Sequence, residues 1–185
     1  MKTLVEKLRE FKRGPAIILP KDAGLIIALT GINKDSKVVD AGTGSGFLAA
    51  YLANICKEVT TYENRKEFFE IADLNLSGFK NVKLKFRDIY KGIKEKNLDA
   101  ITLDLKEPWK VFKYAEKSLK SNGFLVAFLP TINQLEILLK EIKKYKFRLV
   151  KVTELLEREW ETEDRIRPKS QMIAHTGFLV FIRKL

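Results

Sequence analysis

The sequence predicts an α/β fold: a mostly parallel twisted sheet, helices on both faces and an antiparallel last strand. Three observations carry this. Short apolar or β-branched runs alternate with longer stretches at helical spacing, the pattern of repeated βαβ units. A glycine-rich turn, DAGTGSG at 40–46, links the first such run directly to a helix. Four acids, Asp40, Glu63, Asp88 and Asp104, fall at or just before the carboxyl ends of successive strands, the rim where open α/β sheets hold ligands.

The elements follow in order. MKTLVEKLREF has the spacing of one amphipathic helix, and residues 14–22 are placed to cover a pocket as a lid. KVVDA (37–41) is an apolar strand closed by an acid, and FLAAYLANIC (47–56) is long enough for a helix. EVTTYE (58–63) alternates as a strand, RKEFFEIADLNLSG (65–78) has helical spacing with Gly78 as its stop, and VKLKFRD (82–88) is a half-exposed strand. DAITLDL (99–105) is apolar throughout, as a central strand buried on both faces should be. PWKVFKYAEKSLKSNG (108–123) is expected to be a helix with Pro108 in its first turn and Gly123 past its end. FLVAFLP (124–130) is another buried strand, and TINQLEILLKEIKKY (131–145) an amphipathic helix capped by Thr131. RLVKVTELLE (148–157) and HTGFLVFIRK (175–184) complete the strands. The polar link between them holds no helical crossover, hence the antiparallel final strand.

Composition narrows the function. The 185 residues suit one domain, with no apolar run near the roughly 20 residues that span a bilayer. Nothing in the N-terminal residues resembles a secretory leader, so a cytoplasmic location is expected. With one cysteine, Cys56, and one histidine, His175, neither a disulfide nor a zinc site is expected, and no metal is assigned. Thirty-five basic against 24 acidic side chains give a net charge of +11. That excess suits a polyanion such as nucleic acid; a lysine-rich solvated surface is the plainer alternative. The basic residues concentrate at 80–96 and 140–151.

The glycine turn is spaced acid-x-Gly-x-Gly-x-Gly. A dinucleotide turn would carry its third glycine at 47, which is Phe47. Gly42, Gly44 and Gly46, with Ser45, can bring backbone close to a ligand. Asp40 suits an ammonium better than a pyrophosphate. Glu63, followed by Asn64, stands where a carboxylate can accept from both ribose hydroxyls, and Asp88 where one can accept from an adenine amino group. Together these resemble the Rossmann-like class I methyltransferases, and that resemblance implies S-adenosyl-L-methionine as cofactor.

The acceptor side is more particular. LDLKEPWK (103–110), with GPAIILPKDAGLI (14–26), FLP-x-INQ (128–134), EREWE (157–161) and RPKSQMIAHTGFL (167–179), is similar to the tRNA (adenine-N1)-methyltransferases that act in the T-loop. The likeness runs from about residue 13 to the C-terminus. It implies N1-methylation of adenine 57 or 58 in tRNA, with Asp104 as the catalytic carboxylate beside the cofactor and a homotetrameric assembly. Lys21, Arg158, Arg167, His175 and Thr176 are then candidates to contact tRNA, with Arg165 and Lys169 beside them. As a lone histidine, His175 suits a structural role equally well. Asp104 could instead cap the helix near Pro108, and Trp109 is expected to pack beneath the turn. The family usually carries a small β-rich domain before the GPAIILPKD segment, where a dozen residues stand here. Residues 1–185 are therefore expected to form a single catalytic domain, with 1–24 as N-terminal helix and lid. Ala16 and Leu19 replace the usual Gln and Tyr. A small-molecule methyltransferase of cobalamin-precursor type, or a non-catalytic RNA-binding subunit, are the alternatives.

Overall fold

The computed structural model describes residues 2–14 and 16–185. Its main sheet has seven strands: β1 (Lys37–Ala41), β2 (Glu58–Glu63), β3 (Val82–Phe86), β4 (Leu98–Leu103), β5 (Leu119–Leu129), β6 (Phe147–Thr153) and β9 (Phe178–Lys184). Their order is β3-β2-β1-β4-β5-β9-β6, parallel except for β9, which runs antiparallel to both β5 and β6. The expected fold class is the observed one. The order reverses beside β1, so the crevice between the carboxyl ends of β1 and β4 is the natural ligand site.

Alternation along the strands sorts the core into two faces. Val38, Val59, Ala100, Val126, Leu179 and Phe181 face α2 (Pro20–Thr30) and α3 (Phe47–Ala53). Val39, Ala41, Ile101, Leu103, Leu125 and Leu129 face α5 (Phe112–Ser118) and α6 (Ile132–Glu141). α1 (Leu4–Arg9) joins α3 and α4 (Lys66–Leu76) in a third cluster around Leu8, Phe47 and Leu76. β1 and β2 have the bounds expected of them; several other elements do not.

The segment 108–123 is not one helix. Pro108–Val111 forms a 3-10 turn, α5 occupies only Phe112–Ser118, and β5 begins at Leu119. Asn122, not Gly123, takes the left-handed conformation, at φ 64°. A Cβ on Gly123 would come within 3.2 Å of three carbonyl oxygens, so that glycine serves close backbone approach. β9 starts at Phe178, leaving His175 and Thr176 in the preceding loop. The 158–174 link holds a small hairpin, β7 (Trp160–Glu161) with β8 (Arg167–Pro168). α2 occupies part of the segment expected to be lid; residues 16–19 there lie outside any helix or strand. Among the described residues, no helix is long and apolar enough to cross a membrane.

Candidate active site

The glycine turn is built from the sheet outward. The β1 register sets Asp40 directly beside Thr61 of β2 and Thr102 of β4. Thr61 Oγ1 donates to Asp40 Oδ2 and Thr102 Oγ1 to Oδ1, both at 2.7 Å. Thr61 spends its proton there, so the 2.6 Å contact with Thr43 Oγ1 has Thr43 as donor. This hydroxyl chain ties the turn to a carboxylate that is 1% exposed. Burial pushes the Asp40 carboxyl up, against the two threonine hydroxyls that pull it down. Asp40 lines neither cavity of the cleft, and each of its oxygens accepts from a threonine hydroxyl.

Gly42, Gly44 and Gly46 all have positive φ, at 85°, 54° and 87°. Only Gly44 leaves room for a Cβ, its nearest neighbour being Gly42 O at 3.8 Å. A Cβ on Gly42 would lie 2.0 Å from the carbonyl oxygen of Asp104, and one on Gly46 would meet Leu76 at 3.0 Å. Gly42 therefore lets the end of β1 lie against the residue that follows β4. Ser45 Oγ accepts from Gly14 N at 2.6 Å, and Ala16, Ile17 and Ile18 wall the cleft nearby.

Glu63, at the end of β2, is 3% exposed and crowded with donors. Gly44 N donates to Oε2 at 2.9 Å, while Asn64 N, Arg65 N and Arg65 Nε donate to Oε1 at 3.0, 3.1 and 3.1 Å. Burial pushes this carboxyl up, but the bonds from Arg65 and the Gly44 amide outweigh it and hold it below the usual carboxylate range. Asp88 accepts from Tyr90 N at 2.9 Å through Oδ1. Asn64, Asp88 and Glu63 line one cavity of about 260 Å³ with Arg87 and Tyr90. A second, of about 330 Å³, is lined by the glycine turn, Phe47, Phe68, Pro130 and Gln134. Gly42, Arg65, Asp104, Leu105 and Lys106 line both, so the two are halves of one cleft.

Asp104 stands at the junction. Its N–H donates to Ala41 O at 2.9 Å, fixing its backbone to β1. The 3-10 turn at Pro108 has Glu107 at its cap position and receives no side-chain cap, so Asp104 is not a helix cap. Burial, then the charge of Asp40, push its carboxyl up to about 7; Arg65 pulls the other way and Glu63 adds to the rise. The following residues are strapped down on both sides. Glu107 N donates to Tyr90 Oη at 3.1 Å, and Gln134 Nε2 donates to Lys106 O at 2.9 Å. Trp109 packs against the core, as expected.

The expected tRNA contacts divide. The Lys21 side chain is only 7% exposed: its Nζ donates to both oxygens of Asp22 at 3.0 Å and to Thr176 Oγ1 at 2.7 Å. Thr176 Oγ1 in turn donates to Asp22 Oδ2 at 3.1 Å, so these three groups bind each other rather than facing solvent. His175 bridges Pro130 O (3.0 Å, from Nε2) and Glu154 Oε2 (2.8 Å, at Nδ1), with its side chain still 42% exposed. Arg167 pairs with Glu161 at 2.8 Å and Lys169 with Glu159, both within the hairpin region. Arg158 and Arg165 are exposed. Sequence reasoning missed Arg65 and Gln134. The only signal for Arg65 was a cation two residues beyond a strand-end acid.

Strand order, glycine turn and strand-end acids place the chain among the Rossmann-like methyltransferases. Within that class it belongs to the family described as the tRNA methyltransferase complex GCD14 subunit, whose profile matches residues 11–166. It is 36% identical to the tRNA (adenine(57)-N(1)/adenine(58)-N(1))-methyltransferase TrmI of Methanocaldococcus jannaschii, over 98% of this chain and 76% of that protein. It is 37% identical to the tRNA (adenine(58)-N(1))-methyltransferase TrmI of Thermus thermophilus, over 98% of this chain and 74% of the relative. The crystal structure of TrmI from Aquifex aeolicus superposes with a TM-score of 0.91 at 39% identity, over 100% of this chain and 76% of that one. A precorrin-8w decarboxylase from Methanobacterium thermoautotrophicum superposes at 0.81 with 19% identity, a likeness of fold alone.

Proposed function

We propose that this chain is an S-adenosylmethionine-dependent methyltransferase that methylates N1 of a T-loop adenine, position 57 or 58, in tRNA. The observation that carries the reading is the placement of Asp104. A strand-end carboxylate sits where the two halves of the cleft meet, its backbone fixed by Ala41 and Gly42.

The chain's residues fit the cofactor. Glu63 suits the ribose hydroxyls, one oxygen of Asp88 remains for an adenine amino group, and the open side of Gly44 admits the ligand to the backbone. Both halves of the cleft approach the range of small-ligand pockets, roughly 300–1,000 Å³. When bound, S-adenosylmethionine supplies a methyl group activated by a sulfonium. Adenine N1 carries an in-plane lone pair and needs no proton removed before attack. The protein's task is then alignment and charge. An ionised Asp104 accepts a hydrogen bond from the adenine N6 amine, which orients N1 and offsets the positive charge that develops on the base. A nearby cation favours that ionised form, so a cofactor bearing positive charge adjusts Asp104 toward it.

A T-loop base must be turned out of the folded tRNA to reach the cleft. Arg158 and Arg165 are the exposed cations suited to hold the RNA through phosphates, and residues 80–96 and 140–151 extend the basic surface. Leu156, Trp160, Ile166 and Ile173 expose apolar surface in or beside the 158–174 link, which supports self-association, with a homotetramer the assembly implied by resemblance. We read residues 1–185 as one catalytic domain working in the cytoplasm. Nucleoside mass spectrometry of unmodified tRNA after incubation with enzyme and S-adenosylmethionine tests the reaction. N1-methyladenosine is the expected product. Cofactor binding without any methylated nucleoside would leave a methyltransferase of another substrate.

A further inference from the structure

Glu63 accepts more hydrogen bonds than a ligand-binding carboxylate can keep. An ionised carboxylate offers about four lone-pair positions. Five protein donors point at them: the amides of Gly44, Asn64 and Arg65, and Arg65 Nε and Nη2, the last at 3.4 Å. The amides are fixed in place. Gly44 lies between residues held by Tyr62 O, which accepts from Gly42 N and Thr43 N, and the start of α3. Asn64 and Arg65 lead from β2 straight into α4. The guanidinium is the part that can leave. The Arg65 side chain is 54% exposed, lies over the Phe68 ring at 4.1 Å from its centroid, and lines both halves of the cleft.

We propose that Arg65 is a displaceable counter-ion: its guanidinium holds Glu63 until the hydroxyls of a ribose take its place. This rests on the reading of Glu63 as the ribose carboxylate. The charge balance fits the exchange. Asp40, Glu63 and Asp104 gather three carboxyl groups around the turn, and Arg65 is the cation that bears on Glu63 and Asp104. A cofactor carrying a sulfonium and an ammonium brings its own positive charge to replace it. Arg65 keeps Phe68 as a platform when it swings away, so the exchange requires no repacking of the core. The cleft thereby favours a ligand that is both a ribonucleoside and a cation.

Titration calorimetry with adenosine and with S-adenosylmethionine tests this, using the unaltered chain, Arg65→Met and Arg65→Lys. Adenosine has the sugar and no sulfonium, so it isolates the competition for Glu63. Arg65→Met should bind adenosine about fivefold tighter, which is about 1 kcal/mol. S-adenosylmethionine should gain more, because the competing charge is gone as well. Arg65→Lys, which keeps the charge on a single-headed donor, should fall between; it carries the test if the methionine variant melts early. Equal or weaker adenosine binding by Arg65→Met, with unchanged melting, would overturn the proposal. If adenosine tightens but S-adenosylmethionine binds to none of the three, the exchange stands and the cofactor reading falls.

Discussion

Replacing Asp104 by asparagine removes a charge while keeping the shape of the side chain and one acceptor oxygen. The backbone should not move, because Asp104 N is bonded to Ala41 O and its carbonyl lies against Gly42. The pKa of about 7, raised by burial and then by Asp40, stands against 3.8 for an ordinary aspartate. At 1.36 kcal/mol per tenfold, ionising it costs on the order of 4 kcal/mol more than in water. That charge is held ready beside the acceptor, and losing one such electrostatic contact lowers kcat by roughly 10²–10³. The ionised form is the active one, so kcat/KM for S-adenosylmethionine, which reports the chain before the cofactor binds, should be level above pH 7 and fall about tenfold per pH unit below it. Initial rates of methyl transfer to tRNA between pH 5.5 and 8.5 would show the profile, and Asp104→Asn should be slow and flat across it. An asparagine variant within threefold of the unaltered rate, or an unaltered profile with no fall between pH 7 and 6, would refute the reasoning.

Four further outcomes are expected. Gly42→Ala should lower the melting temperature and abolish transfer, because its Cβ would lie 2.0 Å from Asp104 O, whereas Gly44→Ala, with nothing nearer than 3.8 Å, should meet only the strain of its positive φ; thermal melts of the pair decide it. Lys21→Met strands a buried Asp22 without its cation and should cost about 3–5 kcal/mol in denaturant unfolding. The salt dependence of tRNA binding should be untouched in that variant, whereas Arg158→Ala should reduce its slope by about 1. The bond to Pro130 O, then that to Glu154, raise the His175 pKa above 6.5, so its contribution to stability is full below the unfolded pKa and lost as pH rises through the folded one. The melting difference between the unaltered chain and His175→Gln should therefore shrink from pH 6 to pH 9, and a constant difference would exclude the bridge as its source.

The parts of the fold legible in the sequence are those where one physical signal dominated. β1 and β2 could be delimited because an apolar or β-branched run ends on an acid and a turn follows at once. α2 was hidden because Ala23, Leu25, Ile26, Ile27 and Leu29 surround its axis, leaving no helical period to find. The hairpin of β7 and β8 pairs two residues with two, too few for alternation to register. In the site, glycine spacing and strand-end acids located the cleft, yet spacing cannot say which acid faces inward. The register does: it sets Asp40 between two threonines and leaves Asp104 past the last pair of β4. The partners of a lysine or histidine are hidden for a related reason. Charge suggests an exposed surface, but a neighbour distant in sequence can satisfy it, as Thr176 helps to do for Lys21 and Glu154 for His175.

The most direct test of the substrate is transfer of a radiolabelled methyl group from S-adenosylmethionine to unmodified tRNA transcripts, beside a transcript whose T-loop adenines 57 and 58 are guanine. Label on the first and none on the second is the predicted result. Equal labelling of both, or labelling of neither by a chain that binds the cofactor, would contradict N1-methylation of the T-loop adenine.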